Sequence, residues 1–386
     1  MIQVYDEKKH CSGCTACENV CPVHAISMQT DEKGFLYPVI DNKKCVDCGK
    51  CVRTCPIMNK EDAKDGWTVR CIAMRLLDNE ALIKSSSGGV AYGLALWFLN
   101  HGGVVYGAAY DEENKVSHVR VESTDEIGKL QGSKYVQSDI RGIYAEVKED
   151  LEGKREVLFI STGCQVAGLQ RYLGKGFDNL LTCDVICYGA PSPMLWERYL
   201  KETVSKYVPC TVNMRDKAKG WANPCYSFSR NGKILKQDKM DRSSYLRLFL
   251  WNYGLREACF DCAFKTHRHC SDLTLGDCWG MDHLVQTKSD DGLGMSMVFI
   301  NSQKGQDVLE ACQECFWEEE INTEEAIKTN PMLIRSVVAP KDENAFWKMV
   351  GENTLQKTAF TVKPDDPPIL KLKKRLYPLK KRLFGN

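Results

Sequence analysis

The chain has 386 residues, of which 43% are hydrophobic and 27% are charged, as is usual for soluble globular proteins. This length exceeds one ordinary domain and predicts a small module followed by a larger one. The formal net charge of +1 argues against a nucleic-acid-binding protein built on a uniformly basic surface. The composition is unusual in one respect, because the chain contains 20 cysteines.

The N-terminal stretch MIQVYDEKKHCSGC carries charges where a signal peptide needs an apolar core. We therefore expect a cytoplasmic protein. Thiols stay reduced in that compartment, so a large set of cysteines predicts metal ligands before disulfides.

Two cysteine-rich segments, CSGCTACENVCP and CVDCGKCVRTCP, repeat the spacing C-x2-C-x2-C-x3-C-P. This spacing is typical of paired [4Fe-4S] clusters, in which three cysteines of one repeat and the last cysteine of the other hold one cubane. Zinc usually takes two close pairs of ligands and is disfavoured here. The predicted ligands are Cys11, Cys14, Cys17 and Cys55 for one cluster and Cys45, Cys48, Cys51 and Cys21 for the second. Such a pair of clusters transfers single electrons.

The chain after the repeats changes in character. A polar segment predicts a linker over 61–67, after a small α+β module of the bacterial ferredoxin type at 1–60. Beyond it, short β-branched runs alternate with helical stretches such as 139–151 and 192–206, which predicts an α/β domain over 68–345 with a mixed sheet and flanking helices. We divide this domain into parts 68–150 and 151–345. The predicted strands include TVRCIAMRL, GGVVYGAAY, EVLFI, LLTCDVI and SMVFI.

The apolar stretch 88–110 contains no Lys, Arg, Asp or Glu. Polar and glycine residues at 100–103 divide it into two runs that are too short to span a bilayer. It predicts a buried helix, a turn and a buried strand.

The larger domain lacks the two common phosphate-binding motifs, because no G-x-G-x-x-G follows a strand and no G-x-x-x-x-G-K-[ST] occurs. However, KSSSGGV directly precedes a helix, where small residues and free N–H groups suit an anion. A serine-rich N-cap is the alternative. The segment LQGSKYVQSD contributes a second set of polar residues. The candidate cofactor-binding residues are Ser86, Ser87, Gly88, Gly89, Lys134, Tyr135 and Ser138.

Five segments in chain order, SSSGGV, GSKYVQSD, STGCQVAGLQRYL, LLTCDVICYGAPSPMLW and SDLTLGDCWG, resemble the family of coenzyme F420 hydrogenase/dehydrogenase beta subunits over residues 68–320. The resemblance implies a flavin, normally FAD, that exchanges a hydride at its N5 position and electrons with iron-sulfur clusters. It also implies ferredoxin or another redox protein as one partner, a small-molecule hydride partner as the other, and a link to surface polysaccharide biosynthesis. It does not imply the substrate, the direction of electron flow or the use of deazaflavin.

The same resemblance implies a third [4Fe-4S] cluster beside the flavin. Its ligands would be Cys164, Cys187, Cys259 and Cys262. A zinc held by the C-x2-C pair, Cys270 and a histidine is the alternative. Cys278 is interpreted as a core thiol, as are Cys71, Cys183, Cys210 and Cys225. Cys312 and Cys315 have metal-ligand spacing but no second pair nearby in the sequence.

Asp277 and His283 flank the GDCWG motif and either contact the substrate or flavin or stabilise a turn. No general acid or base is assigned, because a flavin supplies the redox chemistry itself.

The C-terminal segment ILKLKKRLYPLKKRLFGN contains no acidic residue, and its apolar residues recur at helical spacing. It predicts a basic amphipathic helix within a helical tail at 346–386. This helix would either attach the protein to the anionic inner face of a membrane or dock on the protein itself.

Together these features predict an iron-sulfur flavoprotein oxidoreductase. It would pass electrons between a one-electron carrier and a hydride-donating or hydride-accepting substrate. The alternative is a non-catalytic electron-transfer subunit whose larger domain docks a partner enzyme.

Overall fold

The computed structural model describes residues 4–59, 67–287 and 291–362. Most of the predicted linker and the whole basic amphipathic segment of the tail lie outside these residues. The strands are β1 (Ile26–Thr30), β2 (Leu36–Ile40), β3 (Arg70–Leu76), β4 (Val104–Tyr110), β5 (Val116–Val121), β6 (Val157–Thr162), β7 (Leu180–Val185), β8 (Thr211–Asp216), β9 (Cys225–Arg230), β10 (Lys233–Lys239), β11 (Leu273–Asp277), β12 (Ser296–Ile300) and β13 (Phe316–Ile321). The α-helices are α1 (Ala16–Asn19), α2 (Lys50–Thr54), α3 (Asn79–Lys84), α4 (Val90–Asn100), α5 (Ile143–Glu152), α6 (Gly163–Leu173), α7 (Pro193–Tyr199), α8 (Ser244–Leu250), α9 (Met281–Leu284), α10 (Gln303–Ala311), α11 (Thr323–Thr329), α12 (Glu343–Glu352) and α13 (Leu355–Thr361).

The N-terminal module consists of a two-stranded antiparallel sheet and two short helices. Strands β1 and β2 pair with Ile26 opposite Ile40. Helices α1 and α2 occupy equivalent positions in the two cysteine repeats, and each begins after a residue in the left-handed region, Thr15 at φ 64° and Gly49 at φ 68°. This arrangement confirms the predicted small α+β module.

The larger domain is built on an eight-stranded sheet in the order β13-β3-β12-β11-β7-β6-β4-β5. Strands β4, β6, β7 and β11 run parallel to one another, and the remaining pairs are antiparallel. All five predicted strands lie in this sheet, which confirms a mixed sheet with flanking helices. Helix α5 begins later than predicted, at Ile143, because Asp139 forms a bridge with Ser117 of β5.

Helices cover both faces of the sheet, so its central strands are buried on both sides. On one face α4 packs Leu94 and Phe98 against Val105 of β4. On the other, α5 and α6 pack against the neighbouring residue Tyr106. The apolar stretch 88–110 is therefore a buried helix and a buried strand, as predicted. Among the described residues, no helix has both the length and the apolar character needed to cross a bilayer.

A second sheet, in the order β10-β9-β8, was not predicted as a separate unit. It shares a hydrophobic core with α7, α8, α12 and α13, in which Trp196 and Phe346 are almost completely buried. The core explains how the C-terminal helices are held against the domain.

Candidate redox site

A cavity of about 1050 Å³ lies beside the carboxyl ends of β6 and β7. This edge of an α/β sheet is where such folds usually build ligand sites. The cavity wall contains all four cysteines of the predicted third cluster and every predicted cofactor-binding residue except Gly88. Segments that are far apart in the sequence therefore meet around one space.

The serine and glycine run forms the part of the wall where α4 begins. Gly89 precedes the helix with a φ of 79°, and no side chain caps the first turn. Instead, Ser86 Oγ accepts a hydrogen bond from the backbone N–H of Ser133 at 2.8 Å, and Ser87 Oγ donates to the carbonyl of Met295 at 2.9 Å. The interpretation of these serines as N-caps is therefore wrong, and the first N–H groups of α4 keep no intrahelical partner.

Gly88 has a different role from its neighbours. Its backbone N–H donates to Ser296 Oγ at 3.0 Å. A Cβ atom at this position would lie 2.4 Å from the carbonyl oxygen of Met74 and 2.5 Å from the nitrogen of Ser296. The structure thus places Gly88 against β3 and β12 and not in the cavity wall, where we had expected it to contact a cofactor.

Lys134 is a half-buried lysine in the cavity wall. Its Nζ donates to the carbonyls of Lys129 and Gln131, both at 3.0 Å. Burial lowers the pKa of Lys134 to about 7. Within the described parts of the chain no carboxylate pairs with it, so a bound anion would supply its missing countercharge.

Tyr135 and Ser138, from the same segment, are held by neighbouring side chains. The ring of Tyr135 stacks on Phe249 with 4.7 Å between centroids. Ser138 Oγ lies 2.8 Å from Nδ1 of His118. Both residues therefore have fixed positions in the wall.

Arg215, which we did not predict, is a second cation in the wall. It pairs with Asp277 at the end of β11. Burial lowers the pKa of Arg215, but the charge of Asp277 and the nearby Tyr135 outweigh that effect and raise it. Its Nη2 is buried and has no hydrogen-bond acceptor among the described residues. No motif surrounds it, and the one signal was a basic residue within the strand-like run TVNMRD.

Asp277 also accepts a hydrogen bond from Nε1 of Trp221 at 3.1 Å. Its side chain thus holds Arg215 and Trp221, whereas we had considered either a turn or a direct contact with flavin or substrate. Trp221 stacks on Trp279 with 4.5 Å between ring centroids, and Trp279 lines the cavity. His283, by contrast, is exposed and lies outside the cavity wall.

Four thiols meet at the end of the cavity nearest β6 and β7. Cys164 lies in the first turn of α6, directly after β6, and Cys187 follows β7. Burial, together with the charges of Cys259 and Cys262, raises the pKa of Cys187 to about 12. Burial likewise raises the pKa of Cys164, with further contributions from Cys262 and Cys187. All four thiols line the same cavity, and a bound metal would lower their pKa values so that they become thiolates.

The eight cysteines of the N-terminal module form two groups. Burial, together with the charges of Cys11 and Cys55, raises the pKa of Cys14 to about 12. Burial likewise raises the pKa of Cys17, with further contributions from Cys14, Cys11 and Cys55. The members of the other group line a small second cavity, namely Cys21, Cys45, Cys48 and Cys51. The structure thus brings together the same two sets that the spacing predicts.

The N-terminal module packs directly on helix α6. A Cβ atom at Gly168 would lie 2.9 Å from Cβ and 3.1 Å from Sγ of Cys14. Gly168 lies four residues after Cys164 in this helix, one turn further along. The first group of thiols and the thiols of the cavity are therefore neighbours across one helix turn.

The described residues contain no group of three or more His, Cys, Asp or Glu side chains placed to hold a single metal ion. The four ligands of a cubane need not converge on one ion, because each thiolate binds a different iron. Cys270 lies outside the four-thiol group, and its Sγ donates to the carbonyl of Gly163 at 3.7 Å. Cys312 is completely buried and Cys315 partly buried in the core beneath α4. The predicted core thiols Cys71, Cys183, Cys225 and Cys278 are completely buried, and Cys210 is partly buried.

Two families match parts of the chain. Residues 154–326 match the family described as the C terminus of the coenzyme F420 hydrogenase/dehydrogenase beta subunit. Residues 10–58 match the 4Fe-4S dicluster domain. The two matches fall on the cavity domain and on the cysteine repeats.

Two individual proteins are similar to a longer part of the chain than either family match covers. The chain is 22% identical over 315 residues to the F subunit of the F(420)H(2) dehydrogenase of Methanosarcina mazei, which covers 77% of this chain and 80% of that protein. It is also similar to a chain in the xenon-derivatized F420-reducing [NiFe] hydrogenase complex from Methanosarcina barkeri, with 16% identity and a TM-score of 0.43. That similarity covers 68% of this chain and 89% of the other.

Proposed function

Because the chain belongs to the family of coenzyme F420 hydrogenase/dehydrogenase beta subunits and carries an N-terminal 4Fe-4S dicluster domain, we propose that it is an iron-sulfur flavoprotein oxidoreductase. It would exchange single electrons with a carrier protein such as ferredoxin and a hydride with a small molecule. The observation that carries the proposal is one cavity whose wall combines four thiols, a helix N-terminus and the basic side chains of Lys134 and Arg215.

The two thiol groups of the N-terminal module are the proposed sites of the dicluster pair. One cluster would be held by Cys11, Cys14, Cys17 and Cys55, and the other by Cys21, Cys45, Cys48 and Cys51. The second group includes the exposed Cys48, so it is the proposed entry point for electrons from a protein partner. The first group faces α6 and is the proposed exit toward the cavity.

The third cluster would be held by Cys164, Cys187, Cys259 and Cys262. The close approach of Cys14 to Gly168 supports this assignment, because it places a dicluster ligand beside the helix that carries Cys164. Backbone groups support the site as well. Cys259 Sγ accepts a hydrogen bond from the N–H of Ala190 at 3.3 Å, and hydrogen bonds to the sulfurs stabilise a reduced cluster.

The cavity suits FAD in size and in chemistry. Cofactor sites commonly have volumes of about 300–1,000 Å³, and this cavity measures about 1050 Å³. The free N–H groups at the start of α4, with Lys134 and Arg215, would hold the pyrophosphate. When bound, FAD would supply hydride exchange with the substrate and single-electron exchange with the clusters.

The protein's own residues would position the flavin and exclude water. Ser86 and Ser87 fix the approach to α4 through their bonds to neighbouring loops. The stacked pair of Tyr135 and Phe249 provides a rigid apolar wall. Trp279, which is 38% exposed, is the proposed contact for the substrate at the open side.

Cofactor analysis distinguishes this proposal from the alternative of a non-catalytic electron-transfer subunit. Protein purified under anaerobic conditions should bind about one FAD per chain in addition to its iron-sulfur clusters. Flavin would be measured after acid release, with added FAD in a parallel sample. Intact clusters without flavin binding, even after FAD is added, would favour the electron-transfer subunit.

Two further parts of the proposal depend on the family resemblance alone. These are ferredoxin as the carrier and a link to surface polysaccharide biosynthesis. Reduction of the clusters by purified ferredoxin would test the first, and the genes beside this one would test the second.

FAD affinity should depend on pH through Lys134, whose pKa is lowered to about 7 by burial. The ammonium is present below this pH and attracts the pyrophosphate, whereas the neutral amine above it does not. The dissociation constant should therefore rise about 10- to 100-fold between about pH 6 and pH 9, since a hydrogen bond to a charged group contributes ~1.5–3 kcal/mol. Fluorescence titration of flavin-free protein would measure this change.

Two variants distinguish Lys134 from Lys217, a second lysine whose pKa burial lowers to about 7. Lys217 donates to the carbonyl of Ser87 at 2.6 Å and does not line the cavity. The pH dependence should disappear in Lys134→Met and persist in Lys217→Met. An unchanged pH dependence in Lys134→Met would remove Lys134 from the proposed phosphate site.

A further inference from the structure

Arg256 is a buried arginine at the boundary between the N-terminal module and the larger domain. It precedes the CFDC segment, and its backbone N–H donates to the carbonyl of Ala190 at 2.9 Å. The residue is only 1% exposed. Its backbone therefore belongs to the cavity domain, while its side chain extends into the module.

The guanidinium group of Arg256 lies against Cys11, the first cysteine of the chain. Nε donates to the carbonyl of Cys11 at 2.6 Å, and Nη2 lies 3.8 Å from Cys11 Sγ. Nη2 also donates to the carbonyl of Leu36 at 2.8 Å, and Nη1 donates to Oε1 of Gln137 at 3.1 Å. The ring of Tyr37 lies 4.2 Å from the guanidinium carbon. Every donating nitrogen is thus directed at a defined partner.

None of these partners is a carboxylate. The neighbouring Glu257 pairs instead with Lys33 at 2.6 Å. No described carboxylate forms an ion pair with Arg256, although an uncompensated buried charge is costly. A cubane with four thiolate ligands carries a net negative charge, and this charge grows on reduction. A cluster at Cys11 would therefore supply the countercharge that the protein itself lacks.

We propose that Arg256 raises the reduction potential of the cluster held by Cys11, Cys14, Cys17 and Cys55. This inference rests on the cluster assignment in the proposed function. A nearby cation and an N–H···S hydrogen bond both favour the more negative, reduced cluster. The oxidised cluster accepts one electron from its neighbour in the module, and Arg256 stabilises that product. It is a positioning and tuning residue and not a catalytic one.

The position of Arg256 indicates which of the two clusters in the module has the higher reduction potential. The other cluster of the module has its own arginine, Arg53, whose Nη2 donates to the carbonyl of Cys48 at 2.9 Å. Arg53 is exposed, so solvent screens its charge, whereas Arg256 acts in a buried environment. The inner cluster would thus have the higher potential of the two, and electrons entering at the outer cluster would collect beside α6.

The inference is tested by redox titration monitored by electron paramagnetic resonance. In Arg256→Gln, which retains hydrogen-bonding capacity but loses the charge, one cluster potential should shift to a more negative value. The other two should not move. Arg256→Lys, which retains the charge, should keep this potential close to the wild-type value. Arg53→Gln is the matched control and should leave all potentials within error of the wild type.

A second variant keeps the test decisive if Arg256→Gln does not fold. In Gln137→Glu, the new carboxylate would face Nη1 and neutralise the guanidinium, so the same potential should become more negative. Iron content is measured in every sample. Unchanged potentials in Arg256→Gln with its full iron content would overturn this inference but not the proposed function. If Arg256→Gln does not fold, unchanged potentials in Gln137→Glu would have the same meaning. A wild-type protein without iron-sulfur clusters would overturn the proposed function instead.

Discussion

Cys262→Ala should lower the iron content of the anaerobically reconstituted protein from about twelve to about eight atoms per chain, because each cubane holds about four. The two clusters of the N-terminal module use none of the cavity cysteines, so they should remain. Substrate turnover should fail although FAD still binds, since the route between the module and the flavin is interrupted. Iron and flavin are measured on the same sample.

Two other cysteines provide controls for this experiment. Cys270 lies outside the four-thiol group, so Cys270→Ala should retain about twelve irons. Cys278→Ala should also keep its iron, but it should lose about 1–2 kcal/mol of unfolding free energy, as is common when a buried side chain is truncated. About eight irons in both the wild type and Cys262→Ala would contradict a third cluster. One zinc per chain, lost on mutation, would indicate the zinc alternative.

Gly168→Val should slow electron transfer from the module to the flavin while the cofactors stay in place. The new side chain would meet the hydroxyl of Tyr144 at 2.6 Å and Cβ of Cys14 at 2.9 Å, so the module must move away from α6. Electron transfer between cofactors slows as the distance between them grows, so the displaced module should reduce the flavin several-fold more slowly. Stopped-flow measurement of flavin reduction, with the module reduced first, would detect such a loss.

Gly176 offers a matched control for this substitution. A Cβ atom there meets nothing within 4 Å, and the residue lies just beyond the same helix. Gly176→Val should therefore keep the wild-type rate. Equal rates in both variants would mean that electrons do not cross at the contact between Cys14 and α6. Loss of iron in Gly168→Val would show damage to the module and would require the smaller Gly168→Ala.

The parts of the fold that could be predicted are those with a strong local pattern. Strands β6 and β12 are buried on both faces, so they appear in the sequence as the short, continuous apolar runs VLFI and MVFI. The strand order could not be predicted in this way. Strand β3 lies between β12 and β13, which come more than two hundred residues later, and no local feature indicates that pairing. The sheet of β8 to β10 was missed because its strands are mostly polar.

The same distinction applies to the candidate site. The cysteine repeats could be grouped into two sets because their spacing reflects cluster geometry. Arg215 and Arg256 could not be found, because a single arginine has no periodicity and its role depends on tertiary neighbours. Gly88 was assigned to the cofactor although it packs on β3 and β12, since a glycine needed for packing and one needed for a ligand look alike in a sequence.

The unequal exposure of the two thiol groups in the module also bears on damage by oxygen. Cys14 and Cys17 are buried, whereas Cys48 is exposed at the outer group. We expect air to destroy the outer cluster first, which would leave a protein that still holds its inner cofactors but no longer accepts electrons from its carrier. Iron release during timed exposure to air should then occur in two steps, and a single step would contradict this order. Inactivation would begin at the surface of the electron pathway, with the flavin the last part to be harmed.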